Sequence, residues 1–380
     1  MVTRKSTELP PFLVMEVLEK AEAMQRQGDE IIHLEVGEPD FDTPVCIKEA
    51  AIRAIREGKT HYTHSLGILE LREAIAESYH RQYGVPVHPD QILVTSGTSP
   101  AMLLLFMSLL EPGDEVILPN PYYACYPNYI RMVDGIPILV NVDEREGFQY
   151  RPEEIKARIG RKTKAILLNS PANPTGNVMP ADRMRAIAEL GPTIVSDEIY
   201  HGLVYEGKEH SILEYTSNAF VINGFSKRYA MTGWRLGYLI VPPPFIRALQ
   251  KMHQNFFISA NAFVQWAGIA ALREAGADVE HMRSIYNTRR KYMIQEIRAL
   301  GLGITVEPTG AFYVLANAKK LGKKSLDLAF DILDKAKVGC APGIDFGSNA
   351  EGYLRFSYAN SLGNIEEAMR RLRRYMANFA

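Results

Sequence analysis

The sequence predicts an α/β fold with a mostly parallel, seven-stranded sheet flanked by helices, joined to a smaller α+β part built from both chain ends. Three observations carry this. Seven short apolar, β-rich runs recur at residues 92–95, 116–118, 137–140, 165–169, 193–196, 220–223 and 237–241, each the length of a buried strand. Helical patterns at 101–110 and 181–190 alternate with them, and strand–helix alternation covers both faces of a parallel sheet. The ends lack that alternation.

In chain order, residues 12–27 repeat apolar side chains at helical spacing, with Leu13, Val17, Leu18 and Ala21 on one face and Gly28 as a stop. The sheet region then runs from about 42 to 284. A long helical pattern over 280–300 leads into strand-like 304–307 and 312–315, a helix at 326–337, a strand at 353–358 and a final helix at 365–378. The expected division is therefore a large domain at 42–284, with 1–41 and 285–380 forming the small one.

At 380 residues and 47% hydrophobic content the chain can bury more than one core. Its 43 basic and 44 acidic residues nearly cancel, so no overall field recruits nucleic acid or a membrane surface. Small-molecule partners are expected. Cys46, Cys125 and Cys340 have no paired spacing, which argues against disulfides and a zinc site and favours a reducing cytoplasm. The start lacks an unbroken apolar signal segment, and the longest uncharged apolar run, 100–110, is far short of the about 20 residues that cross a bilayer. No metal ligand set is expected, because His61, His64, His201 and His210 have no companions at helix spacing. The basic cluster Arg370, Arg371, Arg373 and Arg374 reads as the solvated face of an amphipathic helix.

Four segments carry chemistry. Phe225-Ser226-Lys227-Arg228-Tyr229-Ala230-Met231-Thr232-Gly233-Trp234-Arg235-Leu236-Gly237 joins a lysine to a hydroxyl, arginines and glycines. It fits a surface loop or a lysine whose pKa is lowered by Arg228 and Arg235 for attack on a carbonyl. Thr95-Ser96-Gly97-Thr98-Ser99-Pro100 lies between a strand and a helix, and fits both an ordinary N-cap and a phosphate cradle of backbone N–H groups. Ser196-Asp197-Glu198-Ile199-Tyr200 and Asn173-Pro174-Thr175-Gly176 follow strands. They read as a solvated carboxylate and a turn, or as the charge and hydrogen bonds that a pyridine ring requires. Ser96, Asn173, Asp197 and Lys227 all follow strand ends, where open α/β sheets bind ligands.

Together with Tyr353-Leu354-Arg355-Phe356-Ser357, these motifs resemble in order and spacing the class I/II aminotransferases, fold-type I enzymes of pyridoxal 5'-phosphate. The resemblance runs from about residue 12 to the end of the chain. It implies that Lys227 forms the Schiff base with the cofactor and moves the substrate Cα proton, and that Asp197 pairs with the ring nitrogen. Tyr200 and Asn173 are implied at the ring hydroxyl, Tyr123 stacked on the ring with Tyr122 as competitor, and Ser96, Gly97, Thr98, Ser226 and Arg235 around the phosphate. Tyr62 resembles a tyrosine that reaches the neighbouring subunit's phosphate, which implies a homodimer with shared sites. Arg355 and the Gly37 backbone are implied at the substrate α-carboxylate, beside Asn173.

The implied reaction is transfer of an amino group between an L-amino acid and a 2-oxo acid. Some aspartate-preferring members carry a lysine where this chain has Ser99, and Phe12, Tyr122, Tyr123, Phe256 and Phe257 are candidate mouth residues for an aromatic or branched donor. Aspartate and alanine remain in the set. A carbon–sulfur β-lyase of the same fold would use the same Lys227 and Asp197. A non-catalytic regulator would need an added DNA-binding module.

Overall fold

The computed structural model describes residues 2–377; the expected end of the last helix at Asn378 lies outside them. Twelve strands form three sheets: β1 (Ile32–His33), β2 (Ile92–Thr95), β3 (Glu115–Asn120), β4 (Ile136–Asn141), β5 (Thr163–Asn169), β6 (Thr193–Asp197), β7 (Ala219–Gly224), β8 (Gly237–Ile240), β9 (Tyr313–Asn317), β10 (Val338–Gly339), β11 (Ala341–Pro342) and β12 (Tyr353–Ser357). The large sheet has the order β2-β8-β7-β6-β5-β3-β4. β3, β4, β5, β6 and β7 pair in parallel, while β8 runs antiparallel to both β2 and β7. β2 therefore points the same way as the parallel strands.

This topology decides where the chemistry can be. Six strands end at one edge of the sheet, and β8 begins there. Gly97, Asn169, Asp197 and Lys227 follow or finish strands at that edge, and Arg235 lies just before β8. All seven expected strands are present with ends within two residues of expectation. β2, β7 and β8 are buried at every position, and each buried Leu, Ile, Val or Phe contributes roughly 1.5–3 kcal/mol relative to exposure.

The small antiparallel sheet has the order β11-β12-β9, with Arg355 opposite Leu315 and Ser357 opposite Tyr313. The helices Ser325–Ala336 and Leu362–Met376 pack together beside it, and the N-terminal helix Leu13–Arg26 packs on β11 and on Ser325–Ala336. That N-terminal helix is held at its start by Asp345, whose two oxygens accept the N–H groups of Leu13 and Val14 at 3.0 and 3.2 Å. A carboxylate there satisfies two of the four N–H groups a helix leaves unpaired and opposes its dipole.

The expected strand at 304–307 does not form. The backbone makes only a single bridge beside it, Gly303 to Asn317, while Arg298 reaches the Ile304 carbonyl and the Glu307 carboxylate. With the Arg298 guanidinium on the Ile304 carbonyl, no ladder extends along the segment. Among the described residues no helix is long and apolar enough to cross a membrane.

Candidate active site

A cavity of about 390 Å³ opens at the strand-end edge of the large sheet, between it and β9, β12 and the N-terminal helix. Thr98, Tyr123, Asn173, Asp197, Tyr200, Ser226, Lys227, Arg235, Gly37 and Arg355 line it. The motifs, scattered over more than three hundred residues, therefore converge on one space.

Lys227 lies at its floor and donates from Nζ to the Gly37 carbonyl at 2.6 Å. Its pKa is lowered to about 8, chiefly by burial; Glu38 opposes the shift, and Arg355 and Arg235 assist it. The sequence expectation named Arg228 and Arg235 as the cause. Arg228 has no such part: its guanidinium turns away, bonding Gln82 Oε1 at 3.0 Å and lying over the Tyr229 ring. Adjacency in sequence gave it no shared direction with Lys227.

Asp197 ends β6 and is 5% exposed. Tyr126 donates to Oδ2 at 2.7 Å and the Ile199 N–H to Oδ1 at 3.1 Å. Burial raises its pKa to about 6 against both of those hydrogen bonds. A partly desolvated carboxylate facing a cavity gains most from a cationic partner.

The opposite end of the cavity is shaped for an oxyanion. Gly97 has φ +93° at the start of the helix Thr98–Leu109, and a Cβ added there would overlap Nη2 of Arg235. Gly237 approaches just as closely, since its Cβ would overlap the Gly97 and Thr98 backbone. Two glycines thus let the helix N-terminus, Ser226 and the Arg235 guanidinium share one place, which suits a phosphate. Thr95 stabilises the turn by donating to the Gly97 carbonyl at 2.8 Å. Ser96 sits in the turn itself and does not line the cavity.

Arg355, 2% exposed, comes from β12. It donates through Nη1 to Asn173 Oδ1 at 2.8 Å and through Nη2 to the Glu35 carbonyl at 2.5 Å. Its guanidinium lies 4.3 Å from the Tyr313 ring centroid and 4.8 Å from that of Phe346, and its Nε is buried without a hydrogen-bond partner among the described residues. Tyr200 meets Tyr313 hydroxyl to hydroxyl at 2.8 Å. Tyr123 lines the cavity, edge-on to Phe12 and Tyr126, whereas Tyr122 lies behind it against Gly347. Phe256 and Phe257 are outside the lining, and Tyr62 is 82% exposed and apart from it.

Sequence reasoning missed Tyr126, Tyr313, Glu38 and the wall of Val14, Met15 and Leu18. The wall could have been found from the helical spacing beside Phe12. Tyr126 and Tyr313 carry no local signal, because their partners lie 71 and 113 residues away.

These residues fit pyridoxal 5'-phosphate. An amine of lowered pKa, a buried carboxylate short of a cationic partner, a planar aromatic wall and an N-terminal helix cradle with an arginine stand around one cavity. Among the described residues no cluster of His, Cys, Asp or Glu suits a metal ion.

Comparison with known proteins agrees in fold and chemistry. Residues 29–372 match the family described as Aminotransferase class I and II. The (5-formylfuran-3-yl)methyl phosphate transaminase of Methanocaldococcus jannaschii is 40% identical, over 99% of this chain and 100% of that protein. The aspartate/prephenate aminotransferase of Thermus thermophilus is 39% identical, over 99% and 98%. The solved aspartate aminotransferase of Thermus thermophilus with maleate superposes with a TM-score of 0.95 at 39% identity, covering 98% of this chain and 99% of that one.

Proposed function

The chain belongs to the class I and II aminotransferases, and from that premise we propose that it transfers amino groups from L-amino acids with uncharged, aromatic or aliphatic side chains. It is a pyridoxal 5'-phosphate-dependent transaminase; its donor and the duties of its residues are our reading. The observation that carries the donor class is the apolar wall of Phe12, Val14, Met15 and Leu18, which joins Tyr123 through the edge-on Phe12 ring. Ser99 offers a hydroxyl where a distal carboxylate would need a cation, and the cavity's own cations, Lys227, Arg235 and Arg355, each have another task.

When bound, the cofactor supplies the carbonyl that receives the amino group and a ring that delocalises the electrons left at Cα. Thr98, Ser226 and Arg235 would hold its phosphate, with Ser96 and Gly97 shaping the turn, and Asp197 would hold its ring nitrogen protonated. Tyr200 and Asn173 would face the ring oxygen, and Tyr123 its flat side. Lys227 Nζ would be the covalent anchor and, once free, the base that takes the proton from substrate Cα. A pKa near 8 leaves part of the amine free at neutral pH. Arg355 takes the α-carboxylate, a task for which a guanidinium fork fixes both position and plane, and Gly37 approaches the same group with its backbone. The same reading has the enzyme act as a cytoplasmic homodimer of 42–284 and terminal domains, supported by the exposed Tyr62 and three free cysteines.

Single turnovers of the loaded enzyme with a panel of amino acids and no acceptor test this. Aromatic and branched donors are expected to bleach the bound cofactor's visible band and release their 2-oxo acids faster than aspartate. Faster consumption of aspartate refutes the donor class. Pyruvate, ammonia and thiol released from a cysteine conjugate with no acceptor present would instead favour the lyase. Lys227→Ala should abolish both turnover and the lysine-bound absorption band.

A further inference from the structure

Tyr313 belongs to none of the motifs that pointed to the cofactor, yet it touches both halves of the site. Its hydroxyl meets that of Tyr200 at 2.8 Å. Its ring lies under the Arg355 guanidinium at 4.3 Å. The hydroxyl also presses on the Gly37 backbone so closely that a Cβ at Gly37 would overlap it. The strand register explains the geometry: Arg355 faces Leu315 and Ser357 faces Tyr313, so Tyr313 and Arg355 are diagonal neighbours on one face of β9 and β12.

We propose that Tyr313 is a positioning residue that couples the phenol at the cofactor's ring oxygen, Tyr200, to the arginine that holds the substrate carboxylate. The proposal rests on the duties given above to Tyr200 and Arg355. If Tyr200 donates to the ring oxygen, its own oxygen is free to accept from Tyr313, and a hydrogen bond received makes a phenol a stronger donor. Burial pushes both phenols up, so both stay protonated as such a relay needs. The ring does separate work. Its negative face attracts the guanidinium and fixes the plane in which the fork is presented, with Phe346 close by at 4.8 Å.

The two contributions can be separated. Tyr313→Phe keeps the ring and removes the hydroxyl; Tyr313→Leu removes both. In the loaded enzyme the pH at which the visible absorbance changes reports how tightly the proton shared with the ring oxygen is held, and a weakened donor moves it upward. For Tyr313→Phe we expect proton affinity to rise about fivefold, the worth of one net hydrogen bond, while the Kd for 3-phenylpropanoate, a carboxylate without an amino group, changes less than about twofold. For Tyr313→Leu the same absorbance shift should be joined by about tenfold weaker 3-phenylpropanoate binding, from the lost cation–ring contact.

Tyr200→Phe is the control. It should shift the transition at least as far, and the double variant Tyr200→Phe/Tyr313→Phe no further than Tyr200→Phe alone. A shift in Tyr200→Phe without one in Tyr313→Phe overturns the coupling. No shift in Tyr200→Phe overturns the duty given to Tyr200, and the coupling with it. Equal carboxylate binding by wild type, Tyr313→Phe and Tyr313→Leu overturns the ring's part.

Discussion

The Tyr126 hydroxyl donates to Asp197 Oδ2 at 2.7 Å, and the Ile199 N–H is the only other hydrogen-bond donor to that carboxylate among the described residues. Burial has raised Asp197 to about 6, and Tyr126 is the largest influence holding it down. Tyr126→Phe should therefore raise it further, and cofactor affinity at pH 7 should weaken about tenfold, as for a hydrogen bond to a charged group. The loss should shrink as pH is raised, because more Asp197 ionises. Equilibrium binding of pyridoxal 5'-phosphate across pH checks this.

For the wild type the sign follows from the same shift. The ionised carboxylate that the ring nitrogen needs is lost as pH falls through about 6, so the Asp197 contribution to cofactor affinity should be lost below that pH and kept above it. Asp197→Asn, which can still accept from Tyr126, should bind weakly throughout and lose the acid limb.

Capture of the cofactor by the empty protein should accelerate as pH rises through about 8, where Lys227 gives up its proton. Glu38 is the group that most opposes the lowered value. Glu38→Gln keeps an acceptor for the Thr232 hydroxyl but removes the charge, so the profile should move to lower pH. Stopped-flow absorbance measures it.

At Gly97, alanine meets two penalties: a φ of +93° and overlap with Arg235 Nη2. Left-handed strain costs on the order of 1–3 kcal/mol, and the phosphate cradle must open to relieve the overlap. Gly97→Ala should bind the cofactor at least about tenfold more weakly, with inorganic phosphate competing less well than in wild type.

Asp345 supports the substrate wall from a distance, because it caps the helix that carries Val14, Met15 and Leu18. Asp345→Ala should cost about 1 kcal/mol, raise amide exchange at residues 13–18, and raise KM for apolar donors more than for alanine.

The sheet was legible because its strands are short, apolar and separated by helices; burial on both faces leaves a signal within a few residues. Lys227, Asp197 and Asn173 were legible through motifs that mark strand ends, and Arg355 through the motif at 353–357. What escaped depends on chain direction after a motif and on distant partners. Arg228 and Lys227 are neighbours that point to different places, one to Gln82 and the other to Gly37. Tyr122 and Tyr123 could not be ranked until the fold turned one inward. At 304–307 the alternation was real, but Arg298 took the Ile304 carbonyl that a ladder would have used.

The reversed strand β8 has a mechanical consequence. The chain leaves the sheet edge after Gly224 and re-enters at Gly237, and those two residues are paired across β7 and β8. Lys227 and Arg235 therefore ride on one closed loop with both feet on the same sheet, whereas Arg355 stands on the other sheet. Any shift of the small sheet against the large one would leave Lys227 and Arg235 with the large sheet and would carry Arg355 and Tyr313 together, so the substrate's carboxylate contact and the Tyr313–Tyr200 contact would change as one.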